Sequence, residues 1–186
     1  MNTKGKSLIF VLLLSISALF VISVPDQAFA AVDMFIKIGD IEGESVDKDH
    51  KGEIDVLAWS WGMSQSGSSS SGGAGAGKVN VQDMSLTKYL DSSSPKLMEK
   101  MAQGEHIPKI SLTVQNAGST TQEYLIITMT DVMVTSYSVG GSGGEDRLTE
   151  NITLNFAKIE FKYIPFDESG RQQEPVTVSI RNENTA

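Results

Sequence analysis

From residue 31 onward, apolar and polar residues alternate with a period of two in segment after segment. Only an extended strand sends successive side chains to opposite faces, so this rhythm commits the chain to β structure. Met34-Phe35-Ile36-Lys37-Ile38 reads as a short strand stopped by Gly39-Asp40. Residues 54–63 read as another, with Val56, Ala58, Ser60 and Gly62 on one face and Leu57, Trp59, Trp61 and Met63 on the other. Two tryptophans carry a large apolar payload, so their side packs inward. The opposite side is small and nearly featureless. Further strands are expected at 78–87, at 110–115 and 123–138 across a polar turn, and at 176–180 after the turn Asp167-Glu168-Ser169-Gly170. Tyr124-Leu125-Ile126-Ile127 is apolar on both faces and predicts cover on both sides. The long strand that begins near Asn151 places Ile152, Leu154 and Phe156 on one face, then Ile159, Phe161 and Tyr163 on the shifted phase. A β-bulge at Ala157-Lys158 would produce that step. One helix start is convincing: Ser94 as N-cap, Pro95 in the first turn, Leu97, Met98 and Met101 on one face, and Gly104 as the stop. Such a short helix cannot stand alone and must pack on the sheet. The fold class is therefore all-β: seven or so antiparallel strands with one short helix.

The first thirty residues follow other rules. Lys4 and Lys6 precede an uncharged apolar run over residues 7–24, Pro25 breaks it, and Ala28-Phe29-Ala30 supplies small residues where a signal peptidase reads. The pattern predicts a secretory signal peptide over 1–30 and a single domain over 31–186; the alternative is an uncleaved membrane anchor. Cleavage would take the net charge from −8 to −9, because Lys4, Lys6 and Asp26 leave together. The chain has no cysteine. That excludes a lipidated N-terminus, a disulfide scaffold, a thiolate metal site and a thiol nucleophile. The acidic balance argues against a nucleic-acid groove.

Residues 42–53 hold seven charged residues and two glycines and read as a long exposed loop; residues 64–77 form a Ser/Gly tract and 140–144 a glycine-rich turn. Gly72-Gly-Ala-Gly-Ala-Gly77-Lys78 fits a phosphate-binding loop on paper. It lacks the hydroxyl residue after the lysine and the strand-before, helix-after setting, so a flexible linker is the better reading. His50, inside Asp47-Lys48-Asp49-His50, could imitate a carboxylate–imidazole metal cluster but has no second histidine at useful spacing, and reads as a solvated loop residue. His106 follows Gly104 and is placed to satisfy helix-end carbonyls. Glu145, Asp146 and Glu150 are poorly spaced for acid–base work and read as an exposed polar edge. Asn151-Ile152-Thr153 matches a glycosylation triplet, but Ile152 reads as buried. No catalytic constellation, metal site or cofactor site emerges.

Several blocks nevertheless carry a resemblance. Ala31-Val-Asp-Met-Phe-Ile-Lys-Ile-Gly39, Glu42-Gly-Glu-Ser45, Ile54-Asp-Val-Leu-Ala-Trp-Ser-Trp-Gly-Met-Ser-Gln65, Gly77-Lys-Val-Asn-Val-Gln-Asp83 and Glu123-Tyr-Leu-Ile-Ile-Thr128 occur in order. Gly140-Gly-Ser-Gly-Gly-Glu-Asp-Arg-Leu-Thr-Glu-Asn-Ile-Thr-Leu-Asn-Phe156 completes the set. Together they resemble the haemolysin-coregulated protein (Hcp) family of bacterial type VI secretion across essentially all of 31–186. The resemblance implies a non-enzymatic, cofactor-free tube subunit: a β-barrel-like domain that closes into homohexameric rings. The rings stack into a hollow tube, meet a VgrG-type spike and sheath components, and carry effector proteins in the lumen. On that footing Ala58, Ser60 and Gly62 are the expected lumen-facing residues. The charged loop with Glu44, Asp47, Asp49 and His50 is the expected ring-stacking contact. The leader departs from the family, whose typical members begin at Met-Ala-Val-Asp. The expected cut regenerates Ala31-Val32-Asp33, as though a leader preceded a complete domain. The destination is therefore secreted, without membrane attachment after cleavage. The alternative function is an exported Hcp-like binding or ring-forming module in the periplasm or medium, outside the secretion machine.

Overall fold

The computed structural model describes residues 32–65, 79–117, 121–144 and 146–183. The expected leader, the phosphate-loop match and most of the Ser/Gly tract lie outside the described residues. Strands β1 (Val32–Ile38), β2 (Ile54–Ser60), β3 (Met63–Gln65), β4 (Val79–Val81) and β5 (Met84–Tyr89) precede helix α1 (Ser94–Gln103). Strands β6 (Ile107–Asn116), β7 (Gln122–Gly140), β8 (Thr149–Tyr163) and β9 (Val176–Arg181) follow it. All pairings are antiparallel, in the order β5-β2-β1-β6-β7-β8, and β8 returns to β5 to close a six-stranded barrel. β3 and β4 form a separate two-stranded sheet. The single strands expected over 54–63 and 78–87 are thus each divided, at Trp61-Gly62 and Gln82-Asp83.

The barrel interior is the core. Ile36 and Ile38, Ile54 and Val56, Met84 and Leu86, Ile110 and Leu112, and Ile152, Leu154 and Phe156 turn inward from successive strands and are buried. Alternation sets most of these, but departures come from shifted pairing and from one left-handed residue. In β2 the register against β5 shifts between Val56 and Ala58. Val56 is therefore buried while Ala58 and Ser60 are exposed, and Leu57 points out, contrary to a single uniform face over 54–63. Trp59 and Trp61 pack on the core as expected, with Trp61 lying 5.0 Å from the Phe161 ring, whereas Met63 is exposed.

The face reversal expected in β8 is present: Phe156 and Ile159 are both buried. Its cause is not an extra residue at Ala157-Lys158, because the pairs Thr130–Lys158 and Val132–Phe156 keep one register across the site. Instead Asp131 of β7 adopts a left-handed conformation (φ 54°) opposite that point, and β7 reverses there too, with Met129 and Val132 both buried. The register shift in this pair lies between Val134 and Ser136, where Thr135 bonds Asp83 Oδ2 at 2.9 Å.

In α1, Gly104 ends the helix in the left-handed conformation as expected (φ 62°). The N-cap is Ser93 rather than Ser94, and only Leu97 of the expected apolar stripe is fully buried; Met98 and Met101 are largely exposed.

A β-branched residue at position 131 would meet the steric penalty of the left-handed region, so Asp131→Val is expected to lose about 1–2 kcal/mol of stability. Asp131→Gly keeps the conformation and should stay within about 1 kcal/mol of the parent. Urea unfolding of the two variants measures the difference.

Candidate functional site

The outer face of four adjacent barrel strands carries two continuous rows of small, uncharged residues. Strand register aligns Ser60 (β2) with Ser85 (β5), Thr153 (β8) and Ser136 (β7). The next row aligns Ala58, Thr87, Asn151 and Ser138 on the same strands. None of the eight is buried. The row between them, Trp59–Leu86–Ile152–Tyr137, faces the core. Within the field Thr87 Oγ1 donates to Asn151 Oδ1 at 2.7 Å. The surface has no charge, no large apolar side chain and no acid–base group. It can pass or cradle a partner but offers nothing to react with one. Ala58 and Ser60, expected on such a face from sequence, are part of it. Gly62 lies past the end of β2, half-buried, where an added Cβ would stand 3.0 Å from Gln82 Oε1. The contributions of β5, β7 and β8 were not expected from sequence, because alternation within one strand does not say which strands are neighbours.

A buried ionic cluster holds the strands behind this face. The Lys88 ammonium (β5) lies 2.7 Å from Asp91 Oδ1, 2.8 Å from Glu150 Oε1 (β8), 2.8 Å from the Tyr89 carbonyl and 3.2 Å from Ser94 Oγ. Tyr137 (β7) donates its hydroxyl to Glu150 Oε2. Lys88 and Glu150 are both fully buried, so Glu150 is no exposed edge residue, contrary to expectation. Ser94 uses its hydroxyl here and accepts the Asp91 N–H at 3.0 Å. Burial pushes the Asp91 carboxyl up, but Lys88 and Ser93 outweigh it and hold the group below the usual carboxylate range. Burial and the Glu150 carboxylate push the Tyr137 phenol well above its ordinary value. Alternation puts a lysine at an inward position of β5, and that conflict was the available signal.

The loop over residues 42–53 is not freely solvated. Backbone bonds Gly43 N–H to Gly52 O (2.9 Å) and Ser45 N–H to Glu53 O (3.0 Å) close it on itself. Ser45 and His50 are buried. The His50 ring stacks on Phe35 at 4.4 Å, with Nδ1 3.0 Å from Glu53 Oε2 and Nε2 3.5 Å from Glu123 Oε1. His50 is thus an internal tie and not the solvated residue expected, and its two carboxylates sit on opposite nitrogens, which no single metal ion could bridge. Glu44 accepts the Ser92 N–H at 3.0 Å, and Asp47 accepts the N–H groups of Asp49 and His50 at 2.8 and 3.0 Å. Asp49 is exposed, and Val46 is 95% exposed at the tip. His106 pairs with Asp131 at 2.6 Å and not with helix-end carbonyls. A cavity of about 690 Å³ beside it gathers Lys37, Lys100 and Lys109 with Asp40 and Glu105.

Removing the central cation leaves two carboxylates buried without it, so Lys88→Met is expected to cost roughly 3–5 kcal/mol. Lys88→Met/Glu150→Leu should recover much of that loss in urea unfolding. The stability that Asp91 contributes should be complete above the ordinary carboxylate range. It should disappear as pH falls through its lowered folded value, read as a falling urea midpoint in acid.

Comparison with known proteins agrees with this architecture. The family model described as "Type VI secretion system effector, Hcp" matches residues 35–163. Protein hcp1 of Pseudomonas aeruginosa is 66% identical over 142 residues, which is 75% of this chain and 88% of that protein. A solved type six secretion system protein superposes with TM-score 0.73 at 31% identity, covering 78% of this chain and 92% of its own. Hcp1 from Salmonella typhimurium superposes with TM-score 0.68 at 32% identity, covering 83% and 96%. With a six-stranded barrel and one helix among the described residues, and this likeness over most of its length, the chain belongs to the Hcp family of type VI secretion proteins.

Proposed function

We propose that this protein is a tube subunit of the type VI secretion machine, secreted in the course of its work, and that it acts by shape rather than by catalysis. The observation that carries the reading is the uncharged two-row field on a protein with a net charge of −8. A wall that lets varied cargo pass must be small, polar and unreactive, and the two aligned rows on β2, β5, β8 and β7 have that composition. Ala58 and Ser60 face the lumen in this reading, with Gly62 at its margin. Effector proteins are the cargo, and a VgrG-type spike and sheath components are the other partners.

Copies of the chain join as a homohexameric ring. Self-repulsion between acidic subunits makes apolar contact and strand edges the natural means of closure. β9 ends the sheet with one unpaired edge, and Val176 and Val178 on it are 66% and 53% exposed, beside an exposed Tyr163. Uncovered edges of this kind are templates for pairing with another chain. Ring-to-ring stacking falls to the 42–53 loop, where Val46 and Asp49 are presented at the surface and Glu44, Asp47 and His50 hold the loop in shape.

Residues 1–30 read as a cleaved signal peptide, which favours a second reading: an exported Hcp-like module that binds or forms rings in the periplasm or medium, outside the machine. The N-terminus of the mature protein and the compartment holding its rings separate the two.

A cysteine introduced as Ser60→Cys should react with a small thiol reagent in every state, but resist a bulky one once rings stack into tubes. Equal reaction with the bulky reagent in tubes and in subunits would overturn the lumen assignment. Val178→Asp should convert hexamers to monomers in light scattering, and added salt should strengthen the native ring by screening its charge.

A further inference from the structure

We propose that His50 is a proton-operated latch that fastens the 42–53 loop to the barrel. Both ring nitrogens face carboxylates, Nδ1 at 3.0 Å from Glu53 and Nε2 at 3.5 Å from Glu123. A neutral imidazole has a single N–H. If it donates to Glu53, Nε2 turns a lone pair toward Glu123; if it donates to Glu123, Nδ1 turns one toward Glu53. Nε2 is buried and makes no hydrogen bond; at 3.5 Å its approach to Glu123 is that of an ion pair, which forms only when the nitrogen carries a proton. Only the imidazolium serves both carboxylates at once.

The two contacts are not equivalent. Glu53 belongs to the loop's own end, whereas Glu123 begins β7, so the Nε2 contact is the one that joins loop to barrel. β1 contributes Phe35, which stacks within 9° of parallel on the ring and places no charge on it. Asp47 Oδ1 accepts the His50 backbone N–H at 3.0 Å and so fixes the backbone. Loop closure is therefore favoured by the second proton on the ring. The loop is tight in mild acid and loosens once that second proton has left the ring. The effect on ring stacking rests on the reading of this loop given above; the latch itself does not.

Amide hydrogen exchange on the native protein tests it, at about pH 5.5 and about pH 8.5. Rates are corrected for intrinsic exchange, and light scattering verifies the same assembly state at both values. Gly43, Ser45, Gly52 and Glu53 report, because their N–H groups bond within the loop. Their protection is expected to fall by about tenfold at the higher pH, the scale of one lost ion-pair contact. Protection at Ile110 and Met129 in the core should not change. Glu123→Gln distinguishes the latch from general loosening, since a carboxamide can accept from a protonated Nε2 or donate to a bare one. That variant should stay protected at both pH values. His50→Gln should show no pH dependence; should it fail to fold, histidine nitrogen shifts of the native protein show directly whether both nitrogens carry protons in mild acid. Equal loop protection at both pH values in the native protein, an unchanged pH response in Glu123→Gln, or a singly protonated ring in mild acid would overturn the proposal. With assembly held constant, such a result leaves the tube reading intact, and failure of rings to stack leaves the latch intact.

Discussion

One strand has three neighbours, and the rest of the structure depends on it. β8 runs beside β7 for its whole length, while its other edge is shared: residues 149–154 pair with β5 and residues 158–163 with β9. The first half closes the barrel, and the second half leaves it to support β9. The change of partner coincides with the reversal of faces opposite Asp131, where both strands of the pair turn over together. Closure by hydrogen bonding also transmits the in-and-out alternation from strand to strand. Every inward row adds to one core, and every outward row continues across the wall.

Two attachments outside that hydrogen-bonded wall are made through buried polar side chains. Lys88 binds the start of α1 to β5 and β8 through Asp91, Ser94 and Glu150, and His50 binds the 42–53 loop to β1 and β7. Buried ion pairs add little net stability over apolar packing, because desolvation offsets attraction. What they supply is one geometry, since a carboxylate buried without its partner is expensive. A short helix with a single fully buried apolar residue, and a loop with hardly any apolar residue to bury, have no other strong means of being placed.

The outer surface divides its labour in the same way. The small polar rows on β2, β5, β7 and β8 avoid both charge and grease, whereas the free edge at β9 exposes valines and the loop exposes acids around Val46. Under the proposed tube reading one side would pass cargo and others would meet copies of the chain, and such contrast suits both. The acidic balance opposes assembly at long range and leaves short-range apolar contact to select the correct neighbour.

Much of this was legible in the chain. Periodicity located most strands and the helix, Gly104 marked where the helix stops, the two tryptophans marked the inward side of β2, and the ordered blocks pointed to the Hcp family. Local pattern did not reveal the register shift after Val56, the left-handed Asp131, the Lys88–Glu150 pair or the burial of His50. Each of these arises where segments distant in sequence meet. Alternation determines which side of a strand a residue occupies, because the backbone repeats every two residues whatever lies beside it. Which strands become neighbours, and so which charges find partners and which small residues line up into one surface, was decided only when β8 closed the barrel.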